Sequence, residues 1–249
     1  MINFSGIYNK DLIGKLLRLL LKFIPPKSTV VPILQGRLKG KKWIVGSSNH
    51  GCWVGSYEYE KQTLFAKTIE EGSVLYDIGA HVGFYTLLSS ELVGPRGKVV
   101  AFEPSPRNIY YLREHLRLNR CDNVTVFEAA VAEQSGITSF EESINSHMGH
   151  LSSKGCLEVK IVRLDDLVSK GGIPPPDYMK IDVEGAELLV LSGAKSLLAN
   201  YSPTVFLATH GPEVHQHCCL FLNSIGYELQ SINQNNIDET DEIIAFKKG

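Results

Sequence analysis

From residue 74 onward, short apolar runs alternate with longer amphipathic stretches, and this alternation constrains the fold of the 249-residue chain more than any other feature. The runs have the length of buried strands, and the stretches between them have the length of crossover helices. Strands joined in this way pair in parallel, with helices on both faces. We therefore expect an α/β fold with a doubly wound, mostly parallel sheet. The predicted strands cover 74–78, 98–102, 124–130, 178–182 and 205–209, and the predicted helices cover 83–92, 106–118, 186–198 and 212–225.

Two later segments and one insertion complete this pattern. Segments 227–232 and 242–246 are expected to close the sheet as an antiparallel hairpin, which makes the last strand antiparallel. A polar insertion at 135–157 separates the third strand from the fourth, with weak strands at 137–140 and 157–162. We expect this insertion to shape the pocket of a substrate, because binding residues concentrate on loops.

The first 60 residues differ from the rest and predict a helix followed by a β-rich lead-in. The helix covers 11–24 and carries Lys15, Arg18 and Lys22 on one face. It is too short and too charged to cross a bilayer. We expect it to pack against the main domain or a partner subunit of a homo-oligomer, with membrane-surface association as the alternative. The lead-in strands are predicted at 30–34, 43–46 and 52–58, and the domains at 1–60 and 61–249.

Composition excludes several classes of function. The formal net charge of −2 provides no basic field that would attract nucleic acid or anionic lipid. The five cysteines include no C-x-x-C pair, which argues against a zinc ribbon or a redox motif. We therefore expect reduced thiols and a cytoplasmic location.

The turn after the first predicted strand has the pattern D-x-G-x-x-x-G, running from Asp77 through Gly79 to Gly83. Ligands of open parallel sheets bind beyond the carboxyl ends of the strands, and a helix N-terminus there attracts anionic groups. A dinucleotide fingerprint would have a glycine where His81 stands. The pattern instead suits the amino-acid end of S-adenosylmethionine. The next strand is followed by Glu103, which is placed to accept the hydroxyls of a ribose.

With these motifs, the chain resembles the FkbM-type methyltransferases from about residue 51 to 246. The most specific of the shared motifs is the segment from Lys180 to Glu187. The resemblance implies a Rossmann-like class I methyltransferase sheet and methyl transfer from S-adenosylmethionine to hydroxyl groups of sugars or natural products. The other matching segments are Tyr57-Glu58, 77–86, 101–104, 164–166, 191–194 and Gly226-Tyr227. The chain departs from the family at His81, where asparagine is usual, and at Ala208, where an acid is usual.

The resemblance, together with the positions at the strand ends, predicts the cofactor site. Its members lie after the first three strands of the sheet or in the lead-in. They are Glu58, Asp77, Gly79, Ala80, Gly83, Thr86, Glu103, Pro104 and Ala130.

Candidate catalytic residues follow the fourth and fifth predicted strands. An alcohol must lose a proton when it is methylated, and histidine titrates near neutral pH. We expect His210 to remove that proton, while Asp182 or Glu184 orients it or binds the substrate. The two carboxylates could alternatively cap the helix that begins near Ala186. Asp182, Glu184 and His210 could also bind a divalent ion, since carboxylate and imidazole donors suit one. No spacing in the sequence requires a metal ion, and we expect none.

Three other functions remain open at this point. A nicotinamide-dependent oxidoreductase would share the fold and the acid at Glu103. A small-molecule N-methyltransferase would share the cofactor, although the N-P-P-Y-type motif of many such enzymes is absent. A non-catalytic cofactor-binding module would not need the polar residues at the strand ends.

Overall fold

A computed structural model describes residues 26–142, 149–151, 157–233 and 236–247. The predicted helix at 11–24, and with it the expected oligomer contact, lies outside these residues. In the part of the chain that is described, none of the helices has the length and apolar character needed to cross a bilayer.

The described elements follow the predicted alternation. The strands are β1 Val30–Pro32, β2 Lys42–Ile44, β3 Val74–Ile78, β4 Lys98–Phe102, β5 Val124–Phe127, β6 Ala130–Val131, β7 Gly136–Glu142, β8 Gly149–Leu151, β9 Leu157–Val162, β10 Tyr178–Ile181, β11 Thr204–Ala208, β12 Glu228–Ser231 and β13 Glu242–Phe246. The α-helices are α1 His50–Val54, α2 Tyr59–Thr68, α3 Phe84–Val93, α4 Pro106–Asn119, α5 Leu164–Ser169, α6 Glu187–Gly193, α7 Lys195–Tyr201 and α8 Pro212–Ser224.

Within the described residues, seven strands form the central sheet in the order β12-β13-β11-β10-β3-β4-β5. The strands from β11 to β5 are parallel, and β13 is antiparallel to both β11 and β12. The mostly parallel sheet with its antiparallel hairpin is therefore confirmed. The strand order reverses between β3 and β10, so a crevice opens beyond their carboxyl ends. Register places Lys180 of β10 beside Asp77 of β3.

The predicted third strand divides into two. Strand β5 ends at Phe127 in the central sheet, whereas β6 pairs in parallel with β9 in a second sheet. This second sheet has the order β6-β9-β7-β8 and includes both weak strands of the insertion. The described parts of the insertion therefore form part of a second β-sheet.

Two of the predicted elements are wrong. Segment 52–58 was expected to be a strand, but α1 lies there and ends at Gly55, whose φ is +83°. A Cβ at Gly55 would lie 2.2 Å from the carbonyl oxygen of Gln35, so the chain needs glycine at this turn. The single helix predicted at 186–198 is two helices that meet at Ala194. The helices separate next to Gly193, which lies so close to the backbone of Ala132 that a side chain at position 193 would not fit.

The lead-in packs into the core of the sheet. Trp43 of β2 is fully buried, meets Phe84 of α3 edge to face and stacks on the ring of His115 with a centroid distance of 3.8 Å. Phe65 of α2, a helix that the sequence analysis did not predict, is buried against Phe206 of β11. These contacts bring the polar residues of α2 to the same edge of the sheet as the crevice.

Candidate active site

Asp77 lies at the end of β3 and is completely buried. Its Oδ2 accepts a hydrogen bond of 2.6 Å from the hydroxyl of Thr86 on α3. Its Oδ1 lies 3.4 Å from Nζ of Lys180 but has no hydrogen-bond partner among the described residues. Buried polar atoms are rarely left without a partner. Asp77 Oδ1 is therefore an acceptor suited to a bound cationic group.

The two glycines of the turn are required by close approaches within the chain itself. Gly79 has φ +79°, and a Cβ there would lie 1.9 Å from the carbonyl oxygen of Asp182. Gly83 has φ +91° at the start of α3, where a Cβ would lie 2.5 Å from the side chain of Leu112. The turn thus joins the ends of β3 and β10 closely, and it leaves the helix N-terminus directed at the crevice.

Glu103 follows β4, and its carboxylate contacts the backbone of the turn from Asp77 to Gly83. Its Oε2 accepts the backbone N–H of His81 at 2.8 Å, and its Oε1 accepts the N–H of Ser105 at 2.9 Å and the amide of Asn108 at 3.3 Å. Burial raises the pKa of Glu103, and these three donors limit the rise. The carboxylate of Glu103 thus connects the turn at His81 to the start of α4.

The departure at His81 has a backbone explanation. This residue has φ +50°, a left-handed conformation that asparagine adopts more readily than most residues. A contact with Glu103 is made by the backbone N–H of His81, which any residue at this position can provide. The conformation of the turn therefore survives the change of residue.

Pro104, Ala80 and Ala130 hold less direct positions. Ala80 is buried, and its N–H donates to the carbonyl of Phe102. Pro104 lines an open groove with Ile109 of α4. Ala130 belongs to β6 in the second sheet and does not end β5.

Lys61 of α2 is a member of the site that the sequence analysis missed. Its Nζ lies 2.7 Å from Glu242 of β13, 3.0 Å from Glu58 and 3.8 Å from Asp182. Burial opposes the charge, but the three carboxylates outweigh burial and raise the pKa of Lys61. Glu58 also accepts a hydrogen bond of 2.9 Å from the hydroxyl of Tyr85. The lead-in is therefore tied to the crevice through charged groups.

Asp182 stands at the end of β10, between the lysines and the histidine. Its Oδ2 lies 3.4 Å from Nζ of Lys180, and its Oδ1 lies 3.7 Å from Nε2 of His210. Burial works against the charge, but Lys180, Lys61 and His210 lower the pKa of Asp182 to about 2. Asp182 is therefore an anion at physiological pH.

His210 follows β11 and faces the crevice with Nε2. This nitrogen lies 3.4 Å from Oε2 of Glu184, while Nδ1 lies 2.7 Å from Oε1 of the fully buried Glu187. The hydrogen bond to Glu187 raises the pKa of His210, partial burial opposes the rise, and the charges of Glu184, Asp182 and Glu187 add to it. The expected three residues are thus brought together, and Glu187 is the residue that contacts Nδ1.

Helix capping, the alternative for the two carboxylates, receives little support. The N-cap of α6 is Ala186, and no side chain makes a capping hydrogen bond there. The N–H of Gly185 instead donates to Glu187 at 3.0 Å. The recorded contacts of Asp182 are with Lys61, Lys180 and His210.

Comparison with known proteins agrees with this geometry. A model of the methyltransferase FkbM domain matches residues 77–229. The parallel sheet with its strand-end crevice is a class I methyltransferase fold, and the chain belongs to the FkbM methyltransferase family.

The curated relatives include sugar and natural-product methyltransferases. Hexuronic acid methyltransferase AglP of Haloferax volcanii is 33% identical over 138 residues, which cover 54% of this chain and 55% of the relative. The 2-O-methyltransferase NoeI of Sinorhizobium fredii is 30% identical over 145 residues, with 50% and 58% covered. The 31-O-demethyl-FK506 methyltransferase FkbM of Streptomyces tacrolimicus is 26% identical over 161 residues, with 51% and 61% covered. The chain thus spans little more than half the length of these relatives.

Solved structures share the fold. The methyltransferase FkbM from Methylobacillus flagellatus matches with a TM-score of 0.52 at 20% identity, covering 70% of this chain and 43% of that chain. Precorrin-6y C5,15-methyltransferase from Geobacter metallireducens matches with a TM-score of 0.50 at 18% identity, covering 77% of this chain and 89% of that chain.

Proposed function

We propose that this chain binds S-adenosylmethionine in the crevice and transfers its methyl group to a hydroxyl of a sugar or natural product. One observation carries the proposal: the turn from Asp77 to Gly83 and the cluster of Asp182, Glu184 and His210 meet where the strand order reverses. Membership of the FkbM family supports the cofactor and the reaction. The relatives support the acceptor class, since one acts on a hexuronic acid and another is a 2-O-methyltransferase.

The residues of the crevice fit the cofactor. The N-terminus of α3 would face the carboxylate of its amino-acid end. Oδ1 of Asp77 has an ion-pair contact with Lys180 but no hydrogen bond among the described residues, and it would accept from the ammonium group of the cofactor. Glu103 would accept from the ribose. When bound, S-adenosylmethionine supplies an activated methyl group on a sulfonium. Glu58, Thr86, Pro104 and Ala130 complete the proposed site, Thr86 by holding Oδ2 of Asp77.

The chain itself must position the acceptor and manage its proton. Glu187 fixes the ring of His210 through its contact with Nδ1, which leaves Nε2 at the crevice. Nε2 is then the group that accepts the proton of the hydroxyl, and a positioned base of this kind contributes roughly 10²–10⁴-fold in rate. Asp182 and Glu184 stabilise the imidazolium that forms, because their carboxylates lie within 4 Å of it.

The proposal includes partners and place. The acceptor is a small molecule, and no nucleic acid is expected, because the chain carries no excess of positive charge. A cytoplasmic location is supported by the cysteines, since Cys52, Cys121, Cys218 and Cys219 are free thiols.

Label transfer tests the function. The purified chain is incubated with methyl-labelled S-adenosylmethionine and a panel of free and glycosidic hexuronic acids. We expect the label in a methyl ether, which survives mild alkali, whereas a methyl ester does not. Label on an amine acceptor would favour the N-methyltransferase, oxidation of a nicotinamide cofactor would favour the oxidoreductase, and binding without transfer to any acceptor would favour the non-catalytic module.

A further inference from the structure

The protonation of His210 can be deduced from its neighbours. Oε1 of Glu187 already accepts the backbone N–H of Gly185 at 3.0 Å, and it lies 2.7 Å from Nδ1 of His210. An ionised carboxylate can only accept hydrogen bonds, so Nδ1 must carry the hydrogen. A neutral His210 therefore presents the lone pair of Nε2 to the crevice. Histidines that bind metals are usually oriented by such a carboxylate behind the ring.

That lone pair meets two carboxylate oxygens. Oδ1 of Asp182 lies 3.7 Å from Nε2, Oε2 of Glu184 lies 3.4 Å from it, and the three donor atoms all lie within 4.8 Å of one another. Metal–ligand bonds of about 2.0–2.2 Å place neighbouring ligand atoms about 3 Å apart and opposite ones about 4 Å apart. The observed spacing is close to that of three ligands around one small ion.

Charge around the crevice also favours a cation. The ammonium groups of Lys61 and Lys180 contact the surrounding carboxylates. Both approach Oδ2 of Asp182, whereas Oδ1 of Asp182 faces His210. Bound S-adenosylmethionine adds one net positive charge, and a proton on Nε2 adds one more. Negative charge still exceeds positive charge after both additions. The carboxylates are Glu58, Asp77, Asp182, Glu184, Glu187 and Glu242.

Glu187 supplies an independent sign of this excess. Its side chain is completely buried, and its second oxygen, Oε2, has no hydrogen-bond partner within the described ranges. A buried, underused carboxylate directly behind the histidine is costly unless positive charge lies nearby. A divalent ion on the other side of the ring would supply it.

We propose that Asp182, Glu184 and His210 bind one divalent metal ion, with Glu187 as the positioning residue behind the histidine. The mixed oxygen and nitrogen donors suit Mg²⁺, Mn²⁺ or Zn²⁺. The ion would bind the acceptor hydroxyl and lower its pKa. The O–H bond then breaks with its proton passing to solvent, and the oxygen forms the new bond to carbon as the sulfur–carbon bond breaks. Metal binding itself does not depend on the proposed function, but this role in catalysis rests on it.

Manganese titration tests the site. The chelator-treated full chain is titrated with Mn²⁺, and free Mn²⁺ is followed by electron paramagnetic resonance. We expect about one ion per chain, an affinity at least tenfold weaker in Glu184→Gln and His210→Ala, and a 10–100-fold loss in Glu187→Gln. Glu213→Gln and His217→Ala are the matched controls, since both residues are exposed on α8. Thermal melts identify any variant that fails to fold. Glu184 lies on an incompletely buried turn, so Glu184→Gln is expected to fold and to test the site even if another variant does not.

The outcomes separate this proposal from the proposed function. Absence of Mn²⁺ binding, or binding that all the variants retain, overturns the metal site. If the chelator-treated chain still transfers label to an acceptor in that case, the methyltransferase function stands with His210 as the base. If Mn²⁺ binds as expected but no methyl transfer occurs to any acceptor, the metal site stands and the function fails.

Discussion

Three carboxylates of the segment from Lys180 to Glu187 surround one histidine, and each has a different task. Asp182 is held as an anion by two lysines, Glu184 faces Nε2 of His210, and Glu187 lies buried behind Nδ1. The ring is therefore fixed on one side and reactive on the other. Under the proposed function, Nε2 is the atom of His210 that would activate the acceptor, whether it binds a proton or a metal ion.

Replacing His210 by alanine separates activation from cofactor binding. Since the ring lies beyond β11 and the cofactor turn follows β3, we expect turnover to fall by roughly 10²-fold or more while affinity for S-adenosylhomocysteine changes little. Steady-state kinetics and calorimetry on the same preparation measure the two effects. His217→Ala is the control. Turnover at the wild-type rate in His210→Ala would place activation elsewhere.

Helix α2 and strand β13 are joined by Lys61, which is 2% exposed. Lysine to methionine keeps most of the apolar stem but leaves Glu58 and Glu242 without their cation. Because both carboxylates retain some contact with water, we expect a loss of about 1–3 kcal/mol in the free energy of unfolding, below the usual cost of a fully buried pair. Urea titration measures it, with the exposed Lys67→Met as control. A double variant with Glu242→Gln should recover part of the loss, and no recovery would contradict the ion-pair account.

Strand β2 and helix α4 meet at His115, which gives this contact a dependence on pH. The ring accepts the N–H of Ile44 through Nε2 at 3.1 Å, contacts the carbonyl of Val82 through Nδ1 at 2.8 Å, and stacks on Trp43. Nδ1 thus carries the hydrogen, and the native ring is neutral. Burial lowers the pKa of His115 to about 4.

The sign of the pH effect follows from that lowered pKa. Between pH 6.5 and 4 the unfolded chain binds a proton that the native ring refuses, so stability falls as the pH falls through this window. The total loss is about 3 kcal/mol for a shift of this size. Urea titrations at several pH values measure it. His115→Gln should be less stable at neutral pH but lack this component of the slope, and a slope equal to that of the wild type would exclude His115 as its source.

Helices and strands that follow from the local sequence pattern were predicted well, whereas those that depend on contacts between distant residues were not. Strands β3 and β4 match their predicted bounds, because a buried parallel strand is a short apolar run. The helix break at Ala194 follows Gly193, which lies against the backbone of Ala132, and a contact with a residue 61 positions earlier is not visible in a helical pattern. The β-rich pattern of the lead-in likewise concealed α1, which ends at Gly55.

The candidate site shows the same division. Strand-end positions predicted that Asp182, Glu184 and His210 would meet, and they do. Glu187 was missed because its place in the first turn of α6 is typical of an ordinary helix residue. Lys61 was missed because its partner Glu242 is 181 residues away. If a helix had been predicted at 59–68, the place of Lys61 one turn before the apolar Phe65 would have indicated that this lysine is buried.

The described chain combines a widespread parallel sheet with two additions, the lead-in, which contacts the crevice through Glu58, and the second sheet. The sheet supplies the turn from Asp77 to Gly83, α2 supplies Lys61, and Glu58 lies directly before α2 at the end of the lead-in. The domain division at residue 60 stays a prediction. The packing of Ile33 and Trp43 shows that the described lead-in shares the core of the sheet.

Calorimetric titration with S-adenosylhomocysteine tests most directly whether the crevice is a cofactor site. We expect about one site per chain. Glu103→Ala should weaken binding by about 1.5–3 kcal/mol, the range for a hydrogen bond to a charged group, while His217→Ala leaves it unchanged. Because Glu103 also holds the turn at His81, each variant is first shown to melt as a folded protein. Absence of binding to the wild-type chain, or unchanged affinity in a folded Glu103→Ala variant, would contradict the account.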